Sequence, residues 1–389
     1  MSDVPVVPDA PKNLINLSLL FVPGVYIVLF LAAAVNVLIG LGLIYLVLFF
    51  ANATNRLPVG ILFLLAIGVL YGVYAVLKGL VRTVIRKPSF EPALSVDLSK
   101  EAKLKTFIES LCSMMGTGMP ESVILHSGPA FFVQQGKLKV FNGTVKGRVL
   151  AISFPLLNEL TVNELRAILA HEFAHFTGRD TVYSSFVLPV YSGTIESMKE
   201  MNAVMRGTSN SDSAIASLPL ILPYKGLELY LLLFHKLNMK LSRIREQRAD
   251  TIAALTCGSK SFSSSLSKVV SLSGVFEGAS REHILSGIKE NRVFVNYYAT
   301  FQKDVLPNAT DHVKACEKKA LEQNEGEYDS HCSLRTRIEY VPNVPEKYSD
   351  EEKALTLLAD PEDYGKTLTE GYTQYIAVMN GYVRNPKNK

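Results

Sequence analysis

The segment 160–175 reads LTVNELRAILAHEFAH, and its interpretation decides how the rest of the chain is understood. Thr161 followed by Glu164 has the spacing of a capping box, in which each side chain binds the other residue's main-chain amide at the start of a helix. A helix is therefore predicted from this point to Gly178, because glycine commonly follows the last residue of a helix. The final turns of this helix carry HEFAH at 171–175, an HExxH motif.

The HExxH motif has the spacing of a metal site on one face of a helix. Residues four apart lie about 40° from each other around the helix axis, so His171 and His175 can reach one Zn²⁺ ion. Glu172 then projects beside the metal, where it can accept a proton from water. Two surface histidines would have the same spacing, and a zinc hydrolase also requires a third protein ligand.

A candidate third ligand lies in the segment REQRAD at 245–250. A helix is predicted from 241 to 255, and Glu246 and Asp250 lie on one face of it. One carboxylate would complete a His-His-Glu zinc site, and the second acid would support the ligands from outside. The alternative is a solvated helix face of Arg, Glu and Asp.

Two long apolar runs precede these motifs. Arg56 is the one charged residue within 13–77, and a bilayer core of about 30 Å requires about 20 helical residues. Transmembrane helices are therefore predicted at about 25–50 and 58–77. Both exceed the apolar core of about 7–15 residues in a signal peptide, so we expect no cleaved leader. Basic residues at 78–87 place both ends of this hairpin in the cytoplasm by the positive-inside rule.

A third apolar segment, at 215–237, is interpreted differently. Pro219 and Pro223, together with several charged side chains, favour a buried or membrane-surface helix over a third span. The polar segment 206–217 before it, rich in Ser and Asn, predicts a loop.

The composition excludes several classes of protein. The chain is 48% apolar and 20% charged, and its mean hydropathy is +0.19, which excludes a disordered chain. A net charge of +4, from 40 basic and 36 acidic residues, is too weak to indicate a nucleic-acid partner. The four cysteines have no CxxC spacing, so they predict neither a disulfide framework nor a thiolate zinc site.

Taken together, these motifs resemble the family of HtpX and the CAAX prenyl protease, which are membrane-anchored zinc metallopeptidases of the gluzincin group. The similar strings are a strand at 151–153, LTVNELRAILAH at 160–171, Asp180, the segment from Glu246 to Asp250, and Ser330-His331 followed by Arg337-Ile338.

The resemblance implies a bound zinc ion, one per chain, and a role for each residue of the motifs. His171, His175 and Glu246 would bind the zinc ion. Glu172 would be the general base.

The resemblance also implies residues around the metal ligands. Asp180 and Asp250 would orient the ligand histidines. His331 or Arg337 would stabilise the oxyanion, and both alternatives stay open because the family's usual His-Pro-Pro segment is replaced by His331-Cys332-Ser333.

The predicted fold class is α+β, a mostly helical zincin-like metallopeptidase domain with a small β-sheet, preceded by a two-helix transmembrane hairpin. The β-sheet is predicted from short runs at 122–125, 130–134, 137–141 and 148–153. The predicted domains are an N-terminal segment with the hairpin at 1–87, a linker at 88–99, the zinc metallopeptidase domain at 100–341 and a C-terminal helical tail at 342–389.

The function expected from these features is that of a multi-pass, membrane-anchored zinc metalloendopeptidase for membrane-protein quality control or processing. The catalytic domain would lie on the cytoplasmic side, in a bacterium at the cell inner membrane, and substrate could pair with the strand at 148–153. Expected partners are protein or peptide substrates and the lipid bilayer, with no nucleic acid; an oligomer is left open. The alternatives are a non-catalytic membrane scaffold that retains a zinc-bound peptidase fold, and a processing protease for lipid-modified proteins.

Overall fold

A computed structural model describes residues 12–85, 88–177, 180–206, 211–323 and 332–382. The described residues form two compact units. Unit 1 comprises the described residues within 88–180 and 243–382, and unit 2 comprises the described residues within 12–85 and 181–242.

The described elements are mostly helical. The helices are α1 (Lys12–Thr54), α2 (Val59–Val84), α3 (Ala102–Met115), α4 (Val162–Thr177), α5 (Asp180–Arg206), α6 (Ser211–Cys257), α7 (Ser259–Lys289), α8 (Tyr297–Thr300), α9 (Thr310–Glu322), α10 (Leu334–Tyr340) and α11 (Pro361–Met379). The strands are β1 (Ser89–Phe90), β2 (Ala93–Val96), β3 (Ser122–His126), β4 (Phe132–Val140) and β5 (Gly143–Ser153). The predicted α+β class, with an apolar helical hairpin before it, is therefore confirmed.

Unit 1 contains a five-stranded mixed sheet in the order β1-β4-β5-β3-β2. β4 and β5 form an antiparallel hairpin, and β3 pairs with β5 in parallel. β5 is thus an inner strand with a neighbour on each side. The prediction that substrate adds to 148–153 was therefore wrong, because β3 and β4 already occupy the main-chain groups of that strand.

The two faces of β5 pack against different layers, because side chains alternate along a strand. Leu150 and Ile152 belong to the large core cluster that includes α4. Val149 and Ala151 point to a smaller cluster on the opposite face of the sheet. The sheet face that carries Leu150 and Ile152 therefore packs in the same core cluster as α4.

The N-terminus of α4 has the predicted capping box. The main-chain amide of Thr161 donates to Glu164 Oε2 at 2.9 Å, and the amide of Glu164 donates to Thr161 Oγ1 at 3.2 Å. Leu165, Leu169 and Phe173 follow at a spacing of four residues and are fully buried. This apolar row fixes the rotation of α4, which in turn determines where the HExxH side chains point.

Three described helices are long and apolar enough to cross a membrane: Pro23–Thr54, Val59–Val84 and Ala214–Cys257. The first two correspond to the predicted hairpin. The third includes the segment 215–237, and Pro219 and Pro223 lie inside it without ending it. Proline is tolerated in membrane helices where neighbouring helices satisfy the freed main-chain groups. The segment 215–237 is therefore part of a third candidate span. The expectation of a buried or membrane-surface helix, which rested on its prolines and charged side chains, changes accordingly.

Helices of unit 2 are joined by polar contacts and by close approaches at glycine. Asn36 of α1 donates from Nδ2 to the main-chain oxygen of Val69 in α2 at 2.8 Å. A Cβ atom at Gly79 of α2 would clash with Ser197 and would lie 2.7 Å from the main-chain oxygen of Gly193 in α5. Glycine therefore allows α2 and α5 to approach closely.

Two expectations about connecting segments change. The predicted loop 206–217 is wrong for Arg206, which belongs to α5, and for 211–217, because α6 begins at Ser211 and continues through the predicted helix 241–255; residues 207–210 lie outside the described residues. Tail residues up to 382 belong to unit 1, and Glu346 accepts hydrogen bonds at 2.9 and 3.1 Å from the amides of Lys260 and Ser261 in the first turn of α7. The predicted domain boundaries stay predictions.

Candidate metal centre

Two helices of unit 1 bring three predicted ligands together. α4 supplies His171 and His175, and α6 supplies Glu246. One nitrogen of each imidazole and a carboxylate oxygen lie within 4.8 Å of one another. His171 and Glu246 are buried, and His175 is half-buried. The arrangement is thus a converging cluster of donors at the junction of two helices.

Two distances between these donors are close to the separation of neighbouring ligands in a tetrahedral zinc site. His171 Nε2 lies 3.5 Å from Glu246 Oε2, and His175 Nε2 lies 3.6 Å from Glu246 Oε1. Zinc binds nitrogen and oxygen ligands at about 2.0–2.2 Å, which separates neighbouring ligands of a tetrahedron by about 3.4 Å. The imidazole rings stand at 89° to each other, so they approach the shared centre from different directions. The residues present therefore fit zinc.

Behind the ligands, a chain of charged groups orients His171. Its Nδ1 lies 2.8 Å from Asp250 Oδ1. A proton on Nδ1 that is donated to this carboxylate leaves Nε2 as the nitrogen that faces the centre. Arg337 in turn donates from Nε and Nη2 to the two oxygens of Asp250, at 2.8 and 2.6 Å. Arg337 therefore holds Asp250, and Asp250 in turn contacts His171.

The electrostatic surroundings of His171 favour positive charge at this centre. Burial alone would lower the pKa of His171, but its hydrogen bonds to Asp250 and Glu246 outweigh burial and raise the pKa to about 10. A divalent cation that binds Nε2 must displace a proton, so its binding would release one.

Glu172 has a different electrostatic environment from the ligands. Burial raises its pKa, while the nearby His171 and His175 act in the opposite direction. A carboxylate with a raised pKa is better matched to proton transfer near neutral pH. Glu172 is therefore suited to accept and return a proton beside the three donors.

Comparison with known proteins places this site in a family. Residues 98–343 match the family described as peptidase family M48. The chain belongs to peptidase family M48. The matched residues include all three donors of the cluster, Glu172 and the Arg337–Asp250 pair, so the M48 part of the chain contains the whole candidate centre.

Relatives of the M48 chain are named as proteases. It is 34% identical over 121 residues to the "Protease HtpX homolog" of Persephonella marina, an alignment that covers 29% of this chain and 38% of the relative. The "Protease HtpX homolog" of Thermoplasma volcanium is 28% identical over 134 residues, covering 33% and 41%. The "Protease HtpX" of Haemophilus ducreyi is 23% identical over 188 residues, covering 47% and 63%. The chain thus spans less than two thirds of these relatives, and no solved structure matches it.

The remaining predicted site residues of the M48 chain differ in what the structure describes. Asp250 and Arg337 lie next to the three donors. His331 and the side chain of Asp180 lie outside the described residues, so their roles stay predictions.

Two contacts at the centre were not expected from the sequence. Arg248 donates from Nη1 to the main-chain oxygen of Ala174 at 3.2 Å, and Gln247 Nε2 lies 3.9 Å from Cys332 Sγ. Both begin on α6 beside Glu246 and end on a different segment of the chain. The position of Arg248 between Glu246 and Asp250 could have indicated that it lies at the site. Its partner could not be predicted, because it is a main-chain oxygen that no sequence motif identifies.

Proposed function

We propose that this M48 chain is a membrane-anchored zinc metalloendopeptidase that hydrolyses peptide bonds of protein substrates. The observation that carries the proposal is the convergence of His171, His175 and Glu246 within 4.8 Å, with Glu172 beside them. The names of the relatives support the same reaction class. Membrane-protein quality control or processing is the expected biological setting.

Zinc would be held by His171 Nε2, His175 Nε2 and the carboxylate of Glu246. When bound, zinc would act as a Lewis acid that polarises the substrate carbonyl and makes water more acidic. Glu172 would take the proton from the attacking water and return it to the leaving amine. The raised pKa of Glu172 supports this role, because the same group must both accept and donate.

Arg337 has two proposed tasks. Its Nε and Nη2 groups bind Asp250, which supports a role in orienting His171. We propose that its Nη1 group stabilises the oxyanion; His331 is the alternative for this role. An oxyanion donor must lie about 2.7–3.1 Å from the developing charge.

The sheet offers an edge for substrate other than β5. β1 covers the outer side of β4 at Leu138 and Lys139, and no described strand pairs with that side at 132–136. Val133 of this stretch packs against the core cluster that includes Phe173 of α4. We propose that an extended substrate adds its main chain to this edge, where hydrogen bonds need little side-chain selectivity.

The route of the chain supports a proposal about the membrane. Because His171 and Glu246 are 3.5 Å apart, the chain must be on the same side of the membrane at both residues. If the segment 215–237 crosses the bilayer, α5 must cross as well to bring the chain back. α5 has 27 residues, about 40 Å of helix, which is long enough. Its composition does not make it a candidate span among the described helices.

Polar contacts join α5 to α2. Lys78 of α2 lies 2.6 Å from Glu200 of α5, and Tyr71 of α2 donates to the same carboxylate at 3.0 Å. Lys78 is also one of the basic residues at 78–87, so this ion pair sets Glu200 at the level of the cytoplasmic end of α2. We propose that α5 and the segment 215–237 form a second helical hairpin beside α1 and α2, with both of its ends on the side that the basic residues at 78–87 assign to the cytoplasm.

Purified full-length protein in detergent tests the proposal. We expect casein cleavage that a chelator abolishes and added zinc restores, with one zinc ion per chain. Glu246→Ala should lose zinc, because two histidines alone make an incomplete site. A chain that binds zinc but cleaves neither casein nor itself would contradict the proposal and favour the scaffold. Unchanged zinc content in Glu246→Ala would place the third ligand elsewhere.

A further inference from the structure

The hairpin of β4 and β5 carries two lysines directly opposite each other. Lys137 of β4 pairs with Lys146 of β5, and both are exposed. Like charges at opposed positions of an antiparallel pair are destabilising. Among the described residues, neither lysine has an ion-pair partner that would offset this cost. These two residues, the hairpin lysines, therefore present positive charge to whatever approaches this part of the sheet.

The hairpin lysines lie on the sheet face that packs in the core cluster of α4. Val145 and Val149, on either side of Gly147, both belong to the smaller cluster on the opposite face. Because side chains alternate along a strand, Lys146 between them points to the face of α4, as does its cross-strand partner. The carboxylate of Glu121 lies where a side chain of Gly147 would be, so this acid is on the opposite face.

The same face leads from the hairpin lysines to the metal centre. The guanidinium carbon of Arg148 lies 5.0 Å from the centre of the Phe176 ring, and Phe176 directly follows His175. Lys146 is two residues from Arg148, which is about 7 Å along β5. A few residues of extended chain therefore separate the hairpin lysines from the neighbourhood of a proposed zinc ligand.

The edge proposed for substrate ends beside the hairpin lysines. No described strand pairs with the outer side of β4 at 132–136, and Lys137 is the next residue. β1 covers the edge beyond it, at Leu138 and Lys139. A substrate strand on this edge would therefore end its paired segment near Lys137, with alternate side chains on the face of the hairpin lysines.

We propose that the hairpin lysines select protein substrates that carry an acidic side chain on one side of the scissile bond. The inference rests on the proposed function and adds a substrate class to it. Charge complementarity carries the argument, because two opposed cations lie next to the substrate edge without a described acid on their face. Keeping like charges opposite each other weakens the hairpin, which favours a role in binding over a role in folding.

Matched peptides cleaved by purified full-length protein in detergent test the inference. The reference is an internally quenched peptide built on a casein sequence that the protein cleaves, with asparagine at the variable positions. Each other peptide has aspartate in place of one asparagine, on either side of the scissile bond. Exposed ion pairs are weak, so we expect kcat/KM to be about 2–10-fold higher for the best aspartate peptide than for the reference. This ratio should fall towards 1 in about 0.5 M salt, because salt screens exposed charges.

Charge reversal identifies the residues that are responsible. In the double variant Lys137→Glu with Lys146→Glu, the reference should be cleaved faster than the aspartate peptide, and a lysine peptide faster than both. The matched control is Lys103→Glu with Lys314→Glu, because these lysines are exposed on α3 and α9 and their reversal changes the net charge equally. The control should keep the wild-type ratio.

The single variant Lys146→Glu separates selectivity from stability. It places a carboxylate opposite Lys137, and opposite charges in this position stabilise a hairpin. We expect an unfolding midpoint at or above that of the wild type, together with loss of the preference for aspartate. A lower midpoint with the preference retained would overturn the inference. If the double variant does not fold, Lys146→Glu decides the matter.

The wild-type ratio and its response to charge reversal give the remaining outcomes. A ratio near 1 for every aspartate peptide overturns the inference, and so does a ratio that charge reversal leaves unchanged. In the second case the hairpin lysines would face another anionic partner, such as a membrane surface. Wild-type protein that cleaves neither casein nor any peptide contradicts the proposed function and this inference with it. Equal cleavage of all the peptides contradicts the selectivity alone.

Discussion

Replacing Arg337 with methionine would break the buried ion pair behind the metal centre. Arg337 contacts both oxygens of Asp250 at 2.8 and 2.6 Å. The side chain of Arg337 is 13% exposed and that of Asp250 is 1% exposed. Methionine is unbranched and uncharged, so the variant keeps much of the packing and leaves Asp250 with His171 as its remaining cationic partner.

The expected loss of stability follows from this burial. Removing one partner of a buried ion pair costs about 3–5 kcal/mol, because the other charge stays buried without compensation. Proton uptake by Asp250 limits the loss, since a neutral carboxyl group is less costly to bury. In a domain of the size of unit 1, 1 kcal/mol lowers the unfolding midpoint by about 2–4 °C. The expected decrease is therefore about 6–20 °C.

Thermal unfolding is followed by circular dichroism on metal-free, full-length protein in detergent, so that zinc does not mask the ion pair. Arg335→Met is the matched control, because Arg335 lies on the same helix and is exposed. Adding Asp250→Asn to Arg337→Met should cost less than the sum of the two single changes, since no buried charge is left unpaired. A midpoint that falls no further in Arg337→Met than in Arg335→Met would refute the reasoning.

Two further predictions concern helix packing. Burial alone would raise the pKa of Glu164, but hydrogen bonds that include one from Lys268 at 2.7 Å outweigh burial and lower it; Glu164→Gln should therefore cost about 1–2 kcal/mol at pH 7. Because the folded pKa is the lower one, this difference should begin to shrink as the pH falls through the ordinary glutamate pKa of about 4.3 and should be lost below the folded pKa, and denaturant unfolding at several pH values checks it. Gly79→Ala would place a methyl group against Gly193 and should cost about 1–3 kcal/mol, measured by thermal unfolding. Gly42→Ala is its control because no atom lies within 4 Å of that added methyl group, and equal midpoints would contradict the packing.

The parts of the fold that follow local rules were predictable from the sequence. The capping box at Thr161 and Glu164 depends on two residues three apart, and the hairpin depends on long uncharged runs. The proposed ligands were predictable for the same reason, since His171 and His175 are four apart on one helix. The prediction of Glu246 needed one further step. The two histidines leave a zinc site without its third protein ligand, and Glu246 is an acidic residue on a predicted helix.

The parts that were not predictable depend on contacts between distant segments. The inner position of β5 follows from its pairing with β3, which local periodicity does not specify. The partners of Arg337 and Arg248 lie on other helices, at Asp250 and Ala174, and no spacing rule links these positions. The segment 215–237 was difficult because proline breaks isolated helices, whereas neighbouring helices can satisfy the freed main-chain groups.

Zinc content and casein cleavage measured together on wild type and Glu172→Gln test the central claim most directly. Glutamine keeps the shape of Glu172 but cannot accept the proton, and Glu172 is not one of the three proposed ligands. We predict one zinc ion per chain in both proteins and a loss of cleavage of at least about 10²–10⁴-fold in the variant. Cleavage at the wild-type rate by zinc-loaded Glu172→Gln protein would contradict the account.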